Sequence, residues 1–169
     1  MTTEALSSTA VANDTTVPRV PNTSFSDTGL LRESIGSATV TSGATTGSTY
    51  DLVRVPSNCR VSSVLLNNPA GSASSAFDIG VYKTNAVDNT LGAVASAALF
   101  GSAVACTNAN VDLDVTGEST TYTNALREQP LWQAAGLASD PGGKLAIVAT
   151  NTATNAAAFS IGLRVRWTI

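Results

Sequence analysis

The sequence predicts an all-β fold: a jelly-roll-like β-sandwich with an extended N-terminal arm. Residues 159–169 alternate large apolar side chains with Ser, Gly, Arg and Thr, the period of a strand that has one buried face. Shorter apolar runs recur before this stretch, separated by clusters of Gly, Pro, Asn and Ser, as in sandwiches and barrels. A chain of 169 residues fits one domain. We therefore divide it into an arm, residues 1–28, and a single β-sandwich domain, residues 29–169.

Eight segments have strand character, and two short segments have helix character. The run 93–105 is ambiguous, because its length and alanine content suit a helix whereas its Val, Phe, Ser and Gly suit a bulged strand. We favour the strand. The predicted strands are 35–41, 49–55, 61–66, 77–82, 93–105, 111–115, 145–149 and 159–169, and the predicted helical connectors are 124–128 and 130–136.

The first 28 residues show no strand or helix period. Two prolines, Pro18 and Pro21, lie within four residues, and the apolar side chains are too widely spaced to form a core. Three arrangements fit such a segment: a disordered tail, a strand laid across the body, or an arm on a neighbouring subunit. The low charge of the chain favours the neighbouring subunit. The apolar residues are Leu6, Val11, Val17, Val20 and Phe25.

Charge is scarce in this chain. Only 12% of its residues are charged, against roughly 25% in an ordinary domain, and it contains no histidine. Imidazole bases, histidine-ligated metals and Ser/His/Asp catalysis are therefore excluded. A net charge of −3 argues against nucleic-acid binding, which needs clustered Lys and Arg. We predict no enzymatic activity, no cofactor and no metal.

The sequence contains no apolar run long enough to span a membrane, and its N-terminus lacks the basic and apolar regions of a signal peptide. We therefore expect synthesis in the cytoplasm and no membrane association. Cys59 and Cys106 are the two cysteines. In a reducing compartment they are expected to be buried thiols, and a disulfide between them after cell lysis is the alternative.

Two clusters of charged residues could carry chemistry. Asp112, Asp114 and Glu118 could suggest calcium binding or glycoside hydrolysis, but strand alternation favours two solvated acids on one face. Arg164 and Arg166 form a basic pair on the outward face of the last strand, which arginines 54 or 60 could join. This pair is either a solvated face or a contact for acidic groups of a partner protein.

The two tryptophans also have two interpretations. Trp167 lies on the apolar stripe of the last strand, and Trp132 lies among Leu131, Leu137 and alanines. Both are expected to anchor the core, and a platform for stacking sugars is the alternative. The sugar-stacking interpretation would make the chain a carbohydrate-binding or host-recognition module.

Three stretches carry a resemblance to a known family: YDLVRVPSNCRV at 50–61, FDIGVY at 77–82, and REQPLW at 127–132 followed by ASDPGGK at 138–144. Together they resemble the capsid decoration, or cement, proteins of tailed bacteriophages, over roughly residues 48–169. The resemblance implies a non-enzymatic protein with a β-sandwich body that sits on the outside of a capsid. It also implies a dimer or trimer that bridges neighbouring capsid subunits, and it carries no catalytic residue.

We therefore predict a virion structural protein that binds the outer surface of the major capsid lattice and stabilises it. The expected partners are the major capsid protein and neighbouring copies of the chain, and the alternative is a carbohydrate-binding or host-recognition module of a virion. A hydrolase using the acidic cluster is the third and weakest hypothesis. The predicted partner contacts are Val17, Pro18, Arg19, Val20, Pro21, Phe25, Arg164 and Arg166.

Overall fold

A computed structural model describes residues 12–13, 15–18, 20–21 and 30–169. Within 30–169 the chain forms eight strands and two single-turn helices. The strands are β1 (Arg32–Val40), β2 (Thr49–Pro56), β3 (Arg60–Asn68), β4 (Ala76–Thr84), β5 (Leu91–Ala105), β6 (Asn110–Asp114), β7 (Lys144–Asn151) and β8 (Phe159–Thr168). The helices are α1 (Asn124–Arg127) and α2 (Leu131–Ala134), so each predicted strand and helical connector has its counterpart.

The strands form two four-stranded antiparallel sheets. The first has the order β1-β8-β3-β6 and the second the order β2-β7-β4-β5. Successive strands switch sheets, except at the β4–β5 connection, and this winding of eight strands is that of a jelly roll. The predicted all-β sandwich is confirmed.

The core lies between the two sheets and follows the predicted alternation. On β8, residues 161, 163, 165 and 167 point inward, whereas Arg164 and Arg166 point outward. The Phe77 ring contacts Tyr50 and Phe159 edge to face, with ring centroids 6.0 and 6.1 Å apart. Because Tyr50 and Phe77 come from the second sheet and Phe159 from the first, these contacts join the two layers.

Strand β5 confirms the strand predicted at 93–105 and explains why its sequence is ambiguous. The register against β4 shifts at four places, so fifteen residues of β5 lie along nine of β4. The excess backbone lies over Gly80, where a Cβ atom would overlap the carbonyl groups of Ser96 and Ala97. Small residues fit this close approach, which is why an alanine-rich sequence forms a strand here.

The long β6–β7 connection is held by Tyr122. Its hydroxyl donates a hydrogen bond to the Val61 carbonyl oxygen (2.9 Å), and its ring lies edge to face on Phe100, 4.9 Å between centroids. Burial raises the pKa of this phenol well above its ordinary value. The anchored connection carries α1 and α2, and α2 covers the core with Leu131.

Candidate interaction surface

The surface that holds the predicted arginine pair is the solvent side of the β1-β8-β3-β6 sheet, here called the outer face. Antiparallel register places Glu33 opposite Arg166, Ile35 opposite Arg164, and Leu65 on the other side of Arg164. Leu65 is only 8% exposed although it points away from the core. The aliphatic stem of a neighbouring arginine can cover such a side chain while its guanidinium stays in water.

Both arginines are paired within the chain. Arg166 Nε lies 3.0 Å from Glu33 Oε2, and Arg164 Nη2 lies 2.5 Å from Asp112 Oδ2. Glu33 also lies 3.7 Å from Arg164 Nε, so one carboxylate joins the two guanidinium groups. Asn67 completes the network by exchanging hydrogen bonds with the Asp112 backbone and carboxylate. The outer face therefore presents charges of both signs rather than a basic patch.

The sequence did not reveal the acidic half of this network. The predicted first strand begins at residue 35, whereas β1 begins at Arg32 and so places Glu33 on the sheet. Three successive inward positions of β1 hold the small residues Ser34, Gly36 and Ala38, which hides the strand period. A bulge in β6, with Asp112 at a φ of 50°, turns this carboxylate toward Arg164. The signal that could have extended the predicted strand to Glu33 is the alternation of Glu33, Ile35 and Ser37, which face solvent, with the smaller inward residues between them.

The ion pairs are partly exposed, so their contribution to stability is expected to be small. In a double-mutant cycle of Arg164→Met and Asp112→Asn, we expect a coupling free energy of about 0.5 kcal/mol at low salt. At 1 M salt the screening length falls to about 3 Å, and the coupling should shrink toward zero. Urea unfolding of the four proteins at both salt concentrations measures it. A salt-independent coupling of several kcal/mol would mean that the pair is buried in solution.

An open groove runs across the outer face beside this network. Its volume is about 680 Å³, and its floor includes Gly162 of β8, which has no side chain to fill it. Ile35 and Val111 line it and are 72% and 83% exposed, although they are large and apolar. Polar atoms of Asn67 and the Arg164–Asp112 pair lie along the same groove. The site thus combines exposed apolar walls with a paired charge.

The solvent side of the β2-β7-β4-β5 sheet is closed by its own side chains. Tyr82 shares a hydrogen bond with Thr150 (2.9 Å), and Arg54 binds both Asp51 and the Asn89 carbonyl oxygen. The central residues of that side are fully buried, among them Ala146 and Val148. Arg54 therefore does not join the outer-face pair. Arg60 was the other arginine that could have joined the pair, and it donates its Nε–H to the Glu128 carbonyl oxygen (2.6 Å).

The predicted arm is described only in part. Thr15 and Thr16 donate their hydroxyl groups to the Ala12 carbonyl oxygen, and these bonds close one local helical turn. After it, Val17 is 94% exposed and Val20 is 45% exposed. Pro18 and Pro21 are also exposed. The predicted contacts Arg19 and Phe25 lie outside the described residues.

The three acidic side chains of the 112–118 segment do not converge on one site. Asp112 binds Arg164 and Asn67, Asp114 accepts hydrogen bonds from Thr116, and Glu118 accepts one from the Ser102 backbone. Each carboxylate is held by a different local partner. Within the described ranges, no group of three or more Cys, Asp or Glu side chains is placed to hold a metal ion.

The tryptophans and cysteines lie mainly in the core. Trp167 is buried and donates its indole N–H to Ser34 Oγ (3.0 Å), while half-buried Trp132 packs against the core. The Trp167 indole is therefore not free as a stacking platform. Cys59 and Cys106 are buried free thiols, as expected, and burial raises the pKa of each to about 12. Among the described residues, no helix is long and apolar enough to cross a membrane.

Chains of two solved phage capsids match this chain, and the first of them shares its fold. A chain of the structure "Cyanophage Pam1 capsid asymmetric unit" matches with a TM-score of 0.51 and 20% sequence identity, covering 89% of this chain and 91% of that one. A chain of "Acidic stable capsid structure of Helicobacter pylori bacteriophage KHP30" matches with a TM-score of 0.35 and 15% identity, covering 83% and 94%. No protein family and no curated protein matches the sequence. The Pam1 match thus extends over most of both chains.

Proposed function

We propose that this chain is a non-enzymatic structural protein of a bacteriophage virion, which binds the outer surface of the major capsid lattice and stabilises it. The observation that carries the proposal is the likeness of its fold to a chain of the Pam1 capsid, over 89% of this chain. The resemblance of the 50–61, 77–82, 127–132 and 138–144 stretches to decoration proteins supports the finer role.

One end of the sandwich supports a role in dense assembly. The loops 41–48, 69–75, 106–109 and 152–158 meet at this end, where backbone and hydroxyl hydrogen bonds tie them together. None of these four loops contains Asp, Glu, Lys or Arg. A neighbouring subunit can cover such an end without desolvating a charge, and small side chains lose little rotamer freedom there.

The arm and the outer face are the proposed contact surfaces. Val17 and Val20 expose apolar area that the sandwich does not cover, and Arg164 and Arg166 present donors already oriented by Glu33 and Asp112. Because all four charged groups are paired, a partner with a matched network can bind without leaving a charge unpaired. Many equivalent contacts around a shell would add avidity to each weak one.

Co-sedimentation with assembled shells tests the function. The full-length protein is mixed with shells of the major capsid protein of the same phage, and occupancy and heat resistance of the shells are measured. We expect saturable binding and a higher disruption temperature. Val87→Asp, which changes a side chain 91% exposed on the β4–β5 loop, is the matched control and should behave as wild type. Failure of the wild-type protein to sediment with shells would refute the role.

Deleting residues 1–25 tests the part played by the arm. The deletion ends before β1, so the sandwich should keep its thermal stability. We expect shell occupancy and the added heat resistance to fall strongly, because each copy loses the exposed apolar segment. Unchanged occupancy and unchanged heat resistance would remove the arm from the mechanism while leaving the sandwich as the binding part.

A further inference from the structure

Arg127, the last residue of α1, is a half-buried cation without an anion beside it. Its Nε–H is shielded from water and has no acceptor. Within the described ranges, ion pairs form at Arg54, Arg164 and Arg166, and none forms at Arg127. A charged group that is partly removed from water and left unpaired costs free energy of folding. A role outside the fold would explain why this position holds an arginine.

The guanidinium group of Arg127 is held in place by the residues around it. Its Cζ atom lies over the Tyr122 ring, 6.0 Å from the centroid. That ring is itself fixed, because its hydroxyl donates to the Val61 carbonyl oxygen. The Nη2 atom also lies beside the bare backbone of Gly117, where an added Cβ atom would be 3.4 Å away. A donor group positioned in advance loses little entropy when a partner binds.

The neighbouring charges favour a carboxylate over a phosphate as the ligand. Glu118 and Glu128 follow Gly117 and Arg127 directly in the chain. Neither acid forms an ion pair with Arg127 among the described residues. A phosphate carries more negative charge than a carboxylate, so these acids would repel it more strongly. A guanidinium is planar, and two of its N–H groups can donate to both oxygens of one carboxylate.

We propose that Arg127 binds an acidic side chain, Asp or Glu, of the major capsid protein. The contact rests on the proposed function and adds a third surface to the arm and the outer face. A partner can reach it, because Asn124 and Ala125 of α1 are exposed. Unlike Arg164 and Arg166, Arg127 has no ion pair within the described ranges that a partner would have to share or displace.

Arg127→Met separates binding from stability. Methionine keeps an unbranched stem that packs well on an aromatic ring, and it removes a donor that has no acceptor. We therefore expect the free variant to unfold at a temperature no lower than that of the wild type. On shells of the major capsid protein of the same phage, we expect its dissociation constant to rise about tenfold. Lys83→Met, which removes an exposed positive charge from β4, is the matched control and should bind as wild type.

The outcomes separate this contact from the proposed function. Wild-type binding together with unchanged binding of Arg127→Met would remove the contact alone, and a lower unfolding temperature of that variant would then assign Arg127 a structural role. Equal weakening by Arg127→Met and Lys83→Met would indicate a general charge effect and would also overturn the proposal. Wild-type protein that does not bind shells would refute the proposed function and this contact with it.

Carbodiimide coupling identifies the group that Arg127 meets. The reagent joins an amine to a carboxylate in contact with it, with loss of water, so the Arg127→Lys variant is treated while bound to shells. We expect a cross-link from residue 127 to an Asp or Glu of the capsid protein, located by mass spectrometry. A cross-link only to Glu118 or Glu128 of the same chain would overturn the proposal, because an internal acid would then fill the site. Absence of any cross-link at residue 127 would overturn it as well.

Discussion

Raising the pH above about 9 is expected to destabilise the protein steeply, through its two cysteines. Burial raises the pKa of Cys59 and of Cys106 from 9.0 to about 12, since an apolar interior disfavours the thiolate. Between these values the unfolded chain releases two protons that the folded chain retains, so stability falls as the pH rises. Each thiol contributes about 1.4 kcal/mol per pH unit, and the two together about 2.7 kcal/mol.

The pH range of this loss follows from the direction in which burial moves the thiol pKa values. Below pH 9 both states keep the thiols protonated and the contribution is constant, whereas it is lost progressively up to about pH 12. The Tyr122 phenol, whose pKa burial also raises, adds to the loss above pH 10. Urea unfolding in a reducing buffer at several values between pH 7 and 11, followed by tryptophan fluorescence, measures the slope.

Cys59→Ala is the control for this prediction. It removes one thiol and leaves a small cavity, so stability should be lower by a constant amount at neutral pH. The slope between pH 9 and 10, where the two thiols dominate, should fall by about half. A wild-type stability that stays level from pH 8 to 11 would contradict the burial of the thiols. An unchanged slope in the variant would also contradict the prediction, because the alkaline loss of stability would then come from other groups.

The sequence predicted the strands well because most of them have one face in a continuous core. Residues 159–169 show this most clearly, since each inward position of β8 holds a large apolar side chain. Strand β1 shows the opposite case. Its inward positions include Ser34, Gly36 and Ala38, because β1 is an edge strand where the two sheets approach closely, and small side chains there carry little periodic signal.

For the candidate surface, the sequence predicted the position of the arginines but not that of their acidic partners. Alternation on β8 placed Arg164 and Arg166 on the outward side, but their partners lie far away in the sequence, at Glu33 and Asp112. Which strand neighbours β8 depends on the winding of the jelly roll, and a single sequence does not show it. The groove could not be predicted either. It forms because Gly162 has no side chain, and β1 and β3, the strands on either side of Gly162, are distant from it in the sequence.

The second large effect is expected from Gly36→Ala. Gly36 points inward on β1, and a Cβ atom there would overlap the carbonyl oxygen of Leu52 on β2, in the opposite sheet. Because the obstacle is backbone rather than a flexible side chain, the two sheets must separate locally. We expect a loss of about 3 kcal/mol in the free energy of unfolding, at the upper end of typical overpacking costs. Ser37→Ala, the exposed neighbour on the outer face, should change it little.

This substitution also connects the core to the candidate surface. Gly36 lies between Ile35 and Ser37, which line the groove, so a displaced β1 moves one groove wall relative to Gly162. We expect Gly36→Ala to reduce binding to shells at temperatures where the protein is still folded, as judged by circular dichroism. Stability equal to that of Ser37→Ala would show that β1 can move freely away from β2. The groove wall would then be adaptable rather than fixed by the packing of the two sheets.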